Sequence, residues 1–347
     1  MINHTKHIIH SGVPLKEALK MLNEVPKNLS LFVVNEKKQL IGTLTDGDIR
    51  RGLLAGIPVD SNVDEFMFTS FHALHGSPEP KDIQKLRELG IKLVPILNEE
   101  KKIIKILDLK QIKTSLPVDA VIMAGGRGER LRPLTDNVPK PMLPLGDKPI
   151  IEHNIDRLKE YGISNIHISI NYLGQQIIDR FGDGESRNLN IKYVAEDKPL
   201  GTIGSISLIE EFENPYILVM NSDLFTDADF EDMWLSMQER NADLCVASIP
   251  YTVNIPFAIM ERTNDSITGL KEKPSNTHYA NAGIYMFRKD VLKQIPHNQK
   301  FNATDLIEAV IAKKGKVIDN PITGYWIDIG RHEEYHKAKE IIKHLKH

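Results

Sequence analysis

Residues 118–131 read VDAVIMAGGRGERL, a run of apolar residues that ends directly in a glycine-rich loop. A short apolar run of this kind predicts a buried parallel strand, and the loop after it predicts a functional site. Small residues in the loop would let backbone N–H groups approach a polyphosphate, and arginines would supply positive charge. These residues are Ala124, Gly125, Gly126, Gly128, Arg127 and Arg130. Taken alone, the loop is explained equally well as a structural turn.

Two well-known phosphate-binding loops are excluded at this position. The dinucleotide fingerprint requires a glycine where the chain has Leu131, and the Walker A loop requires Gly-Lys followed by Ser or Thr. A lysine follows a short way beyond, in the sequence VPKPMLPL at residues 138–145. Prolines on both sides of Lys140 fix the backbone and reduce the entropy lost when the lysine binds a phosphate. The loop and the lysine together favour polyphosphate binding over a solvated turn.

Beyond this loop, apolar strands alternate with helices. The alternation predicts an α/β fold with a doubly wound, Rossmann-like sheet, and the strand character of residues 258–287 adds antiparallel strands that make the sheet mixed. The predicted strands are 118–123, 165–170, 191–194 and 216–220, and the predicted helices are 149–161, 174–181, 202–212 and 333–345.

Upstream of the loop, one pattern of helix, strand, strand and helix occurs twice. The first copy predicts a helix at 14–23, strands at 31–34 and 39–44, and a helix from Asp46. The second predicts a helix at 81–89, strands at 93–97 and 102–107, and a last helix from Asp108. Two such units usually pack together because neither can bury its apolar face alone. We therefore predict modules at 1–58 and 59–115, followed by a larger domain at 116–347.

The composition is that of an ordinary globular protein. The 347 residues are 41% hydrophobic with a net charge of −3, so no overall basic field attracts nucleic acid or an acidic membrane. The single Cys245 excludes an intrachain disulfide and a cysteine-based zinc site. No signal peptide and no apolar run of about 18 residues is evident, so we expect a cytoplasmic protein without a membrane partner.

These motifs carry two resemblances. The stretch from Ala120 to His153 resembles the opening signature of the sugar-1-phosphate nucleotidylyltransferase family, and residues 39–49 resemble the end of a CBS motif, a module that works in pairs. The first resemblance implies transfer of a nucleoside monophosphate from a triphosphate to a sugar-1-phosphate, with Mg²⁺ as cofactor. The implied catalytic residues are Arg130, Lys140, Asp223 and Asp328, of which Asp223 and Asp328 would hold the metal.

The same resemblance implies the substrate contacts. The PLGTIG sequence at 199–204 is most similar to guanylyltransferases, with uridylyltransferases second, and the LKEKP sequence at 270–274 resembles the sugar-phosphate motif. Besides the glycine-rich loop, the implied nucleotide contacts are Glu196, Gly201 and Thr202, and the implied sugar-phosphate contacts are Glu272, Lys273, Asn281 and Gly283. Gly201 would let the backbone approach the base, and Thr202 would begin the next helix.

The CBS resemblance implies a regulatory site for an adenine nucleotide. Thr45 would contact phosphate and Asp48 ribose, although Thr45 is explained as well by a helix cap. In the second copy Asp108 and Gln111 stand at these positions, and a carboxylate there would repel phosphate. A CBS pair fused to a transferase of this type resembles enzymes that make GDP-activated amino sugars for cell surfaces, which favours GTP and glucosamine-1-phosphate, with mannose- or heptose-1-phosphate next. The resemblance also implies a homo-oligomer, because paired CBS modules commonly dimerise. The alternatives are a UTP- or dTTP-dependent transferase and a non-catalytic nucleotide sensor.

Overall fold

The computed structural model describes residues 4–25, 30–76, 78, 80–110 and 112–345. The chain forms two compact units. The first comprises the described residues of Met1–Pro117 with Leu158–Ser164 and Asp183–Asn190, and the second comprises Val118–Arg157, Asn165–Gly182 and the rest from Ile191. The finer predicted boundaries at residues 58 and 115 stay predictions.

The N-terminal segment of the first unit contains two small sheets. Its strands are β1 (Ile8–His10), β2 (Ser30–Val34), β3 (Leu40–Thr45), β4 (Leu74–His75), β5 (Leu93–Leu97) and β6 (Ile103–Asp108), and its helices are α1 (Leu15–Glu24), α2 (Asp46–Leu54) and α3 (Pro80–Glu88). In each sheet the first strand pairs parallel with the second, and the second pairs antiparallel with the third across one register shift. The two copies predicted from the sequence thus have the same strand pairing.

The predicted last helix of the second copy is wrong for the residues that can be described. Strand β6 runs through Asp108, and Leu109 and Lys110 form a turn; Gln111 lies outside the described residues. The Asp108 side chain accepts a hydrogen bond from the Lys110 N–H at 3.0 Å, which stabilises the turn in place of a helix start. The buried side chains of Phe32 and Leu40 share a core with Leu93 and Ile106, so the copies bury apolar surface together.

Thirteen further strands and five further α-helices follow in the described residues. They are β7 (Val118–Ala124), β8 (Pro144–Leu145), β9 (Lys148–Pro149), α4 (Ile150–Glu160), β10 (Asn165–Ile170), α5 (Gln175–Phe181), β11 (Asn190–Ala195), β12 (Tyr216–Asn221), β13 (Leu224–Thr226), α6 (Phe230–Arg240), β14 (Leu244–Asn254), β15 (Ile259–Thr263), β16 (Ser266–Lys271), β17 (Ser275–Arg288), α7 (Ala303–Ala312), β18 (Val317–Pro321), β19 (Trp326–Asp328) and α8 (His332–Leu345).

A seven-stranded mixed sheet forms the centre of the second unit, in the order β11-β10-β7-β12-β17-β14-β18. Strand β7 pairs parallel with both β10 and β12, whereas β17 pairs antiparallel with β12 and β14. The chain leaves β7 toward β10 and later returns on its other side as β12, so the strand order reverses at β7. In open α/β sheets, ligands bind at the carboxyl ends of the strands where the order reverses. The predicted mixed, doubly wound fold is confirmed.

Two features differ from the predicted elements. The helix predicted at 202–212 is wrong, because only Gly204–Leu208 forms a 3-10 helix there. The antiparallel addition is confirmed, and it extends further than the sheet itself. Strands β14 and β17 remain paired as far as Asn254 and Ser275, and the separate hairpin β15–β16 lies between them in the chain. We call residues 250–279 the arm.

Candidate active site

The carboxyl ends of β7 and β12 open into a cleft of about 590 Å³. The loop after β7 and residues Asn221 to Asp223 after β12 form two sides, and the segment after β11 forms the third. The lining residues include Gly125, Gly126, Arg127, Lys140, Asn171, Glu196, Gly201, Thr202, Asn221, Asp223 and Lys300. The position agrees with the prediction from the apolar strand and its glycine-rich loop.

Each glycine of the loop has a different environment. Gly128 has a left-handed φ of 65°, and a Cβ placed on it would lie 2.9 Å from Lys140 Cβ and 3.1 Å from Thr135 Cγ2. A Cβ on Gly126 would meet no atom within 4 Å, so this residue leaves open space in the cleft. Gly128 is therefore required for the loop to pack against the lysine segment, while Gly126 leaves room for a ligand. Ala124 is buried at the end of β7 and does not line the cleft.

Lys140 begins a short 3-10 helix, Lys140–Met142, and its ammonium group contacts the Asp223 carboxylate in a short ion pair. The side chains are 14% and 21% exposed, so both are largely screened from water. Only Asp223 Oδ2 is engaged; Oδ1 is buried and has no hydrogen-bond partner among the described residues. A buried carboxylate oxygen without a partner is unfavourable and indicates a place for a cation or a donor group.

A two-stranded pairing brings the second aspartate to the first. Strand β13 pairs antiparallel with β19, with Leu224 opposite Asp328, and the Ile329 N–H donates to the Asp223 backbone carbonyl at 3.0 Å. Apolar side chains of this pair and of α8 form one buried cluster that includes Phe225, Ile327 and Tyr335. Residues more than 100 positions apart in sequence thus meet at one edge of the cleft.

The electrostatics of this edge agree with a cation site. Burial, and then the nearby Asp223 carboxylate, raise the pKa of Asp328, and Glu334 adds to this, while Lys140 and Arg130 act in the opposite direction. Two neighbouring carboxylates disfavour each other's ionised form unless positive charge lies between them. Carboxylate oxygens are the ligands that Mg²⁺ prefers, and it usually takes its remaining ligands from phosphates and water. The residue set therefore fits Mg²⁺ held jointly with a phosphate substrate.

Arg130 and Asp328 meet in a second cavity of about 400 Å³, which is adjacent to the first. Both cavities are lined by Gly126, Arg127, Lys140 and Asp223. The structure therefore brings together all four residues assigned to catalysis. Among the described residues, four cations line the two cavities: Arg127, Arg130, Lys140 and Lys300.

The predicted base-side residues Glu196, Gly201 and Thr202 line the cleft, and each also makes local structural contacts. The Ser169 hydroxyl donates to Glu196 Oε1 at 2.6 Å and the Leu200 N–H to Oε2 at 3.2 Å, so the carboxylate holds the following loop. Gly201 has a φ of 81°, and a Cβ on it would lie 2.6 Å from the Phe301 carbonyl oxygen. The packing of that loop alone therefore requires a glycine here.

The expectation that Thr202 begins a helix in its own segment is wrong. Its hydroxyl instead accepts a hydrogen bond at 2.8 Å from the N–H of Ala303, the first residue of α7, and its own N–H donates to Asn302 Oδ1 at 3.3 Å. The helix start that it caps therefore lies about 100 residues later in the chain.

The predicted sugar-side residues are divided between two places. Gly283 is buried at the sheet with a φ of 73°, and a Cβ on it would lie 2.7 Å from Asn221 Nδ2 beside the cleft. Asn281 Oδ1 accepts a hydrogen bond from the Gly283 N–H at 2.9 Å. Glu272 and Lys273 lie on the exposed arm and line neither cavity. Lys273 has a left-handed φ of 42° directly before Pro274, a strained conformation for a non-glycine residue.

Comparison with known proteins agrees with this geometry. A profile of the nucleotidyl transferase family matches residues 119–344. This chain belongs to the nucleotidyl transferase family. A CBS domain profile matches residues 4–55, the first of the two N-terminal copies.

Two relatives and one solved structure illustrate what this chain is similar to. Mannose-1-phosphate guanylyltransferase of Mycobacterium tuberculosis is 31% identical over 226 residues, 63% of this chain and 62% of the relative. The bifunctional protein GlmU of Methanocaldococcus jannaschii is 32% identical over 221 residues, 62% of this chain and 52% of the relative. The chain thus spans between half and two thirds of these proteins. The crystal structure of HddC from Yersinia pseudotuberculosis complexed with GMP-PN aligns with a TM-score of 0.51 at 26% identity, over 65% of this chain and 99% of that chain.

Sequence reasoning missed two side chains of the transferase cleft, Asn171 and Lys300. Asn171 follows β10 directly, and its amide donates to the Glu196 backbone carbonyl at 3.0 Å. Its place at a carboxyl strand end was a signal that could have been read. Lys300 lies in a connecting segment after β17 and offers no such signal. No helix in the described part of the chain is long and apolar enough to cross a membrane.

The N-terminal unit of the transferase has a cleft of its own, of about 440 Å³, lined by Thr45, Asp46, Gly47, Phe68, Phe71, His72 and Lys92 among others. The Thr45 hydroxyl accepts the Asp48 N–H at 3.2 Å, and the Thr45 N–H donates to Asp48 Oδ2 at 2.8 Å. These bonds form a capping box at the start of α2. The helix-cap interpretation is therefore confirmed, and a ligand role for the pair stays a prediction.

Proposed function

We propose that this chain transfers a nucleoside monophosphate from a nucleoside triphosphate to a sugar-1-phosphate, forming a nucleotide sugar and releasing pyrophosphate. One observation carries the proposal. Asp223 and Asp328 meet beside Lys140 at the sheet edge where the glycine-rich loop opens. Anionic substrates need such a local cluster, because the net charge of −3 offers no general attraction for them.

In this mechanism an oxygen of the sugar-1-phosphate forms a bond to the α-phosphorus of the triphosphate. The bond from that phosphorus to the bridging oxygen of pyrophosphate breaks, and the electron pair leaves with the pyrophosphate. The nucleophile is already an anion, so no residue has to remove a proton. The task of the protein is to hold two mutually repelling anions in line and to neutralise the charge that develops.

Four charged residues of the two cavities have a place in this scheme. Lys140 and Arg130 would bind the triphosphate, and the N–H groups around Gly126 would face its oxygens. Asp223 and Asp328 would hold Mg²⁺, which on binding would screen the phosphate charges. Asp223 Oδ2 contacts Lys140, while Oδ1 has no hydrogen-bond partner among the described residues, so Asp223 could help to hold a cation and keep this ion pair.

For the substrates we propose GTP and glucosamine-1-phosphate, with UTP- or dTTP-dependent transfer as the alternative. The guanine preference is supported by the PLGTIG sequence, by the guanylyltransferase relative and by the solved HddC complex with GMP-PN. The amino sugar rests on the CBS fusion alone. The relative that acts on mannose-1-phosphate makes that sugar the next candidate.

The experiment is pyrophosphate release from the purified chain with Mg²⁺. Each of GTP, UTP, dTTP, CTP and ATP is paired with glucosamine-, mannose-, glucose- and heptose-1-phosphate. We expect release with GTP and one sugar, and none without Mg²⁺. Release with UTP or dTTP alone would replace the guanine assignment, and absence of release with every pair would contradict the reaction. The alternative hypothesis is a non-catalytic nucleotide sensor. It would be supported if no pair released pyrophosphate and the chain nevertheless bound a nucleotide.

We further propose that the N-terminal cleft binds an adenine nucleotide that regulates the transferase. The aromatic side chains of Phe68, Phe71 and His72 could stack on a base, and Lys92 could neutralise a phosphate. A ligand can regulate only if it binds two conformations unequally. We expect AMP or ATP to bind by calorimetry and to change kcat or KM. Thr45→Ser keeps the cap and serves as the control for Thr45→Val; unchanged kinetics at saturating nucleotide would contradict regulation.

A further inference from the structure

Lys300 is set apart from the other cations of the cleft. Among the described residues, the cations that line the 590 Å³ cleft are Arg127, Lys140 and Lys300. Arg127 and Lys140 also line the second cavity beside Asp328, whereas Lys300 does not. The Lys300 side chain is exposed, and within the described residues its ammonium group has no hydrogen-bond or ion-pair partner. Lys300 is therefore an available donor outside the cavity that contains Asp328.

The backbone around Lys300 is held against the loop that follows β11. The Phe301 N–H donates to the Leu200 carbonyl oxygen at 2.9 Å, and the Ile203 N–H donates to the Phe301 carbonyl oxygen at 3.2 Å. The Thr202 hydroxyl, which accepts the N–H at the start of α7, adds a third bond between the same two segments. The Lys300 backbone is therefore fixed, and its side chain starts from the side of the cleft that this loop forms.

This position indicates which part of a nucleotide Lys300 meets. In the proposed function, on which this inference rests, the phosphates lie between the glycine-rich loop, Lys140 and Asp223. The rest of the first cleft, which residues 199–202 line, is then left for the ribose and the base. A nucleobase is uncharged at neutral pH, so a lysine beside it acts as a hydrogen-bond donor and not as a counter-ion.

Glu196 supplies an acceptor on the same side of the cleft. Its Oε1 accepts from the Ser169 hydroxyl and its Oε2 from the Leu200 N–H, which fixes the carboxylate. A carboxylate can accept roughly four hydrogen bonds, so acceptor capacity remains for a ligand. A lysine only donates and a carboxylate only accepts, so Lys300 and Glu196 offer one group of each kind to the same cleft.

This pair of groups matches one class of nucleobase. Guanine presents a carbonyl oxygen, O6, beside its N1–H, and uracil and thymine present O4 beside N3–H. Adenine and cytosine present an amino group beside a ring nitrogen without hydrogen, which inverts both positions. We propose that Lys300 is a specificity-determining residue, whose ammonium group donates to the exocyclic oxygen while Glu196 accepts the ring N–H. The cleft then selects bases with this carbonyl group, because an amino group facing Lys300 would leave two donors unpaired.

The test compares nucleotides that differ only at this edge of the base. Inosine triphosphate and ATP form one pair, and UTP and CTP form the other. Their dissociation constants are measured by calorimetry with Mg²⁺ and without a sugar phosphate, so that binding is measured without turnover. Saturating AMP is present throughout and occupies the proposed N-terminal site in every titration. Lys300→Met keeps the length of the side chain and removes the donor, whereas Lys300→Arg keeps a donor.

We expect the wild type to bind inosine triphosphate more tightly than ATP, and UTP more tightly than CTP. Lys300→Met should reduce both ratios by about 10- to 100-fold, the range for losing a hydrogen bond to a charged group, and Lys300→Arg should retain them. Lys198→Met is the control, because Lys198 is exposed on the same loop and does not line the cleft. Equal weakening of all four nucleotides by Lys300→Met would assign the lysine to phosphate binding and overturn the proposal.

Lys300→Glu gives a result that partial unfolding cannot imitate. A carboxylate at this position accepts from an amino group, so ATP and CTP should gain relative to inosine triphosphate and UTP, beyond the change in Lys300→Met. Ratios that stay at the wild-type values in both variants would contradict the role of Lys300. If nucleotides bind and pyrophosphate is released, that result overturns this inference alone. If the wild type binds no nucleotide, the proposed function fails together with it.

Discussion

The catalytic edge and the arm belong to the same unit but are built in opposite ways. At the edge, Lys140, Asp223 and Asp328 are held by the sheet, by the β13–β19 pairing and by a buried apolar cluster. On the arm, Glu272 and Lys273 are exposed, and no residue of the 30 is buried. The first region has its geometry before any ligand arrives.

This difference in burial suggests that the two proposed substrates are bound in different ways. In the proposed mechanism the triphosphate side is preorganised, since Lys140 and Asp223 already contact one another, and preorganised charges cost little rearrangement during reaction. Of the four predicted sugar-phosphate contacts, Glu272 and Lys273 lie on the exposed arm. Substitutions in the first region should therefore change turnover, and substitutions in the second should change the binding of one substrate.

The largest effect is expected at the catalytic edge. Asp223→Ala removes a proposed metal ligand and the partner of Lys140, and we expect kcat to fall by about 10² to 10³-fold. Asp265→Ala, at the exposed tip of the arm, is the matched control and should retain normal turnover. The measurement is steady-state pyrophosphate release at saturating substrates. If Asp223→Ala and Lys140→Ala both keep near-normal turnover, the assignment of the active site to this edge is wrong.

A substitution of Lys273 tests whether the arm takes part in binding the sugar phosphate. We expect Lys273→Ala to raise KM for the sugar phosphate by about 10- to 100-fold, the range for losing a hydrogen bond to a charged group, with KM for the triphosphate unchanged. Lys271→Ala is the control, because Lys271 lies two residues away and its ammonium group pairs with Glu261. An equal rise of KM for both substrates would show that the change is general and would argue against a sugar-phosphate role.

Gly128 tests whether the edge needs its packing. An alanine there would have φ near 65° and would crowd the Lys140 side chain, so Gly128→Ala should lose about 1–2 kcal/mol of stability and reduce turnover as the lysine shifts. Gly126→Ala meets no atom within 4 Å and should keep its melting temperature. Thermal unfolding and kcat on both variants separate the two cases. Equal destabilisation by both would contradict the packing role of Gly128.

The smallest effect concerns Asp328 and pH. Its pKa is raised, so at neutral pH its ionised form destabilises the folded state, and Asp328→Asn should slightly raise the melting temperature. The gain should shrink as pH falls toward about 4, the ordinary value for Asp, because both folded and unfolded chains are then protonated. Asp290→Asn is the surface control. A gain independent of pH would contradict this cause.

Several elements were predictable because the cause was local. The apolar runs at β7, β10 and β12 gave strands within about one residue of those observed, and the loop after β7 opens the cleft as expected. Two predicted helices were wrong. The segment after Thr202 forms only a 3-10 helix, and Thr202 contacts α7 instead, while Asp108 ends a strand and stabilises a turn.

The contribution of the sequence itself is the chemistry of this protein. The alternation of apolar strands with helices predicted the fold class, because short-range patterns specify strands and helices. The resemblance of residues 120–153 to a known family implied the family and its charged residues. Only the tertiary structure decided that Asp223 meets Asp328, since this depends on the register of β13 with β19, about 100 residues apart in the chain. It also decided that Glu272 and Lys273 lie on an exposed arm. Burial is a property of the packed chain, and a charged motif has the same sequence whether it lines a cleft or extends into water.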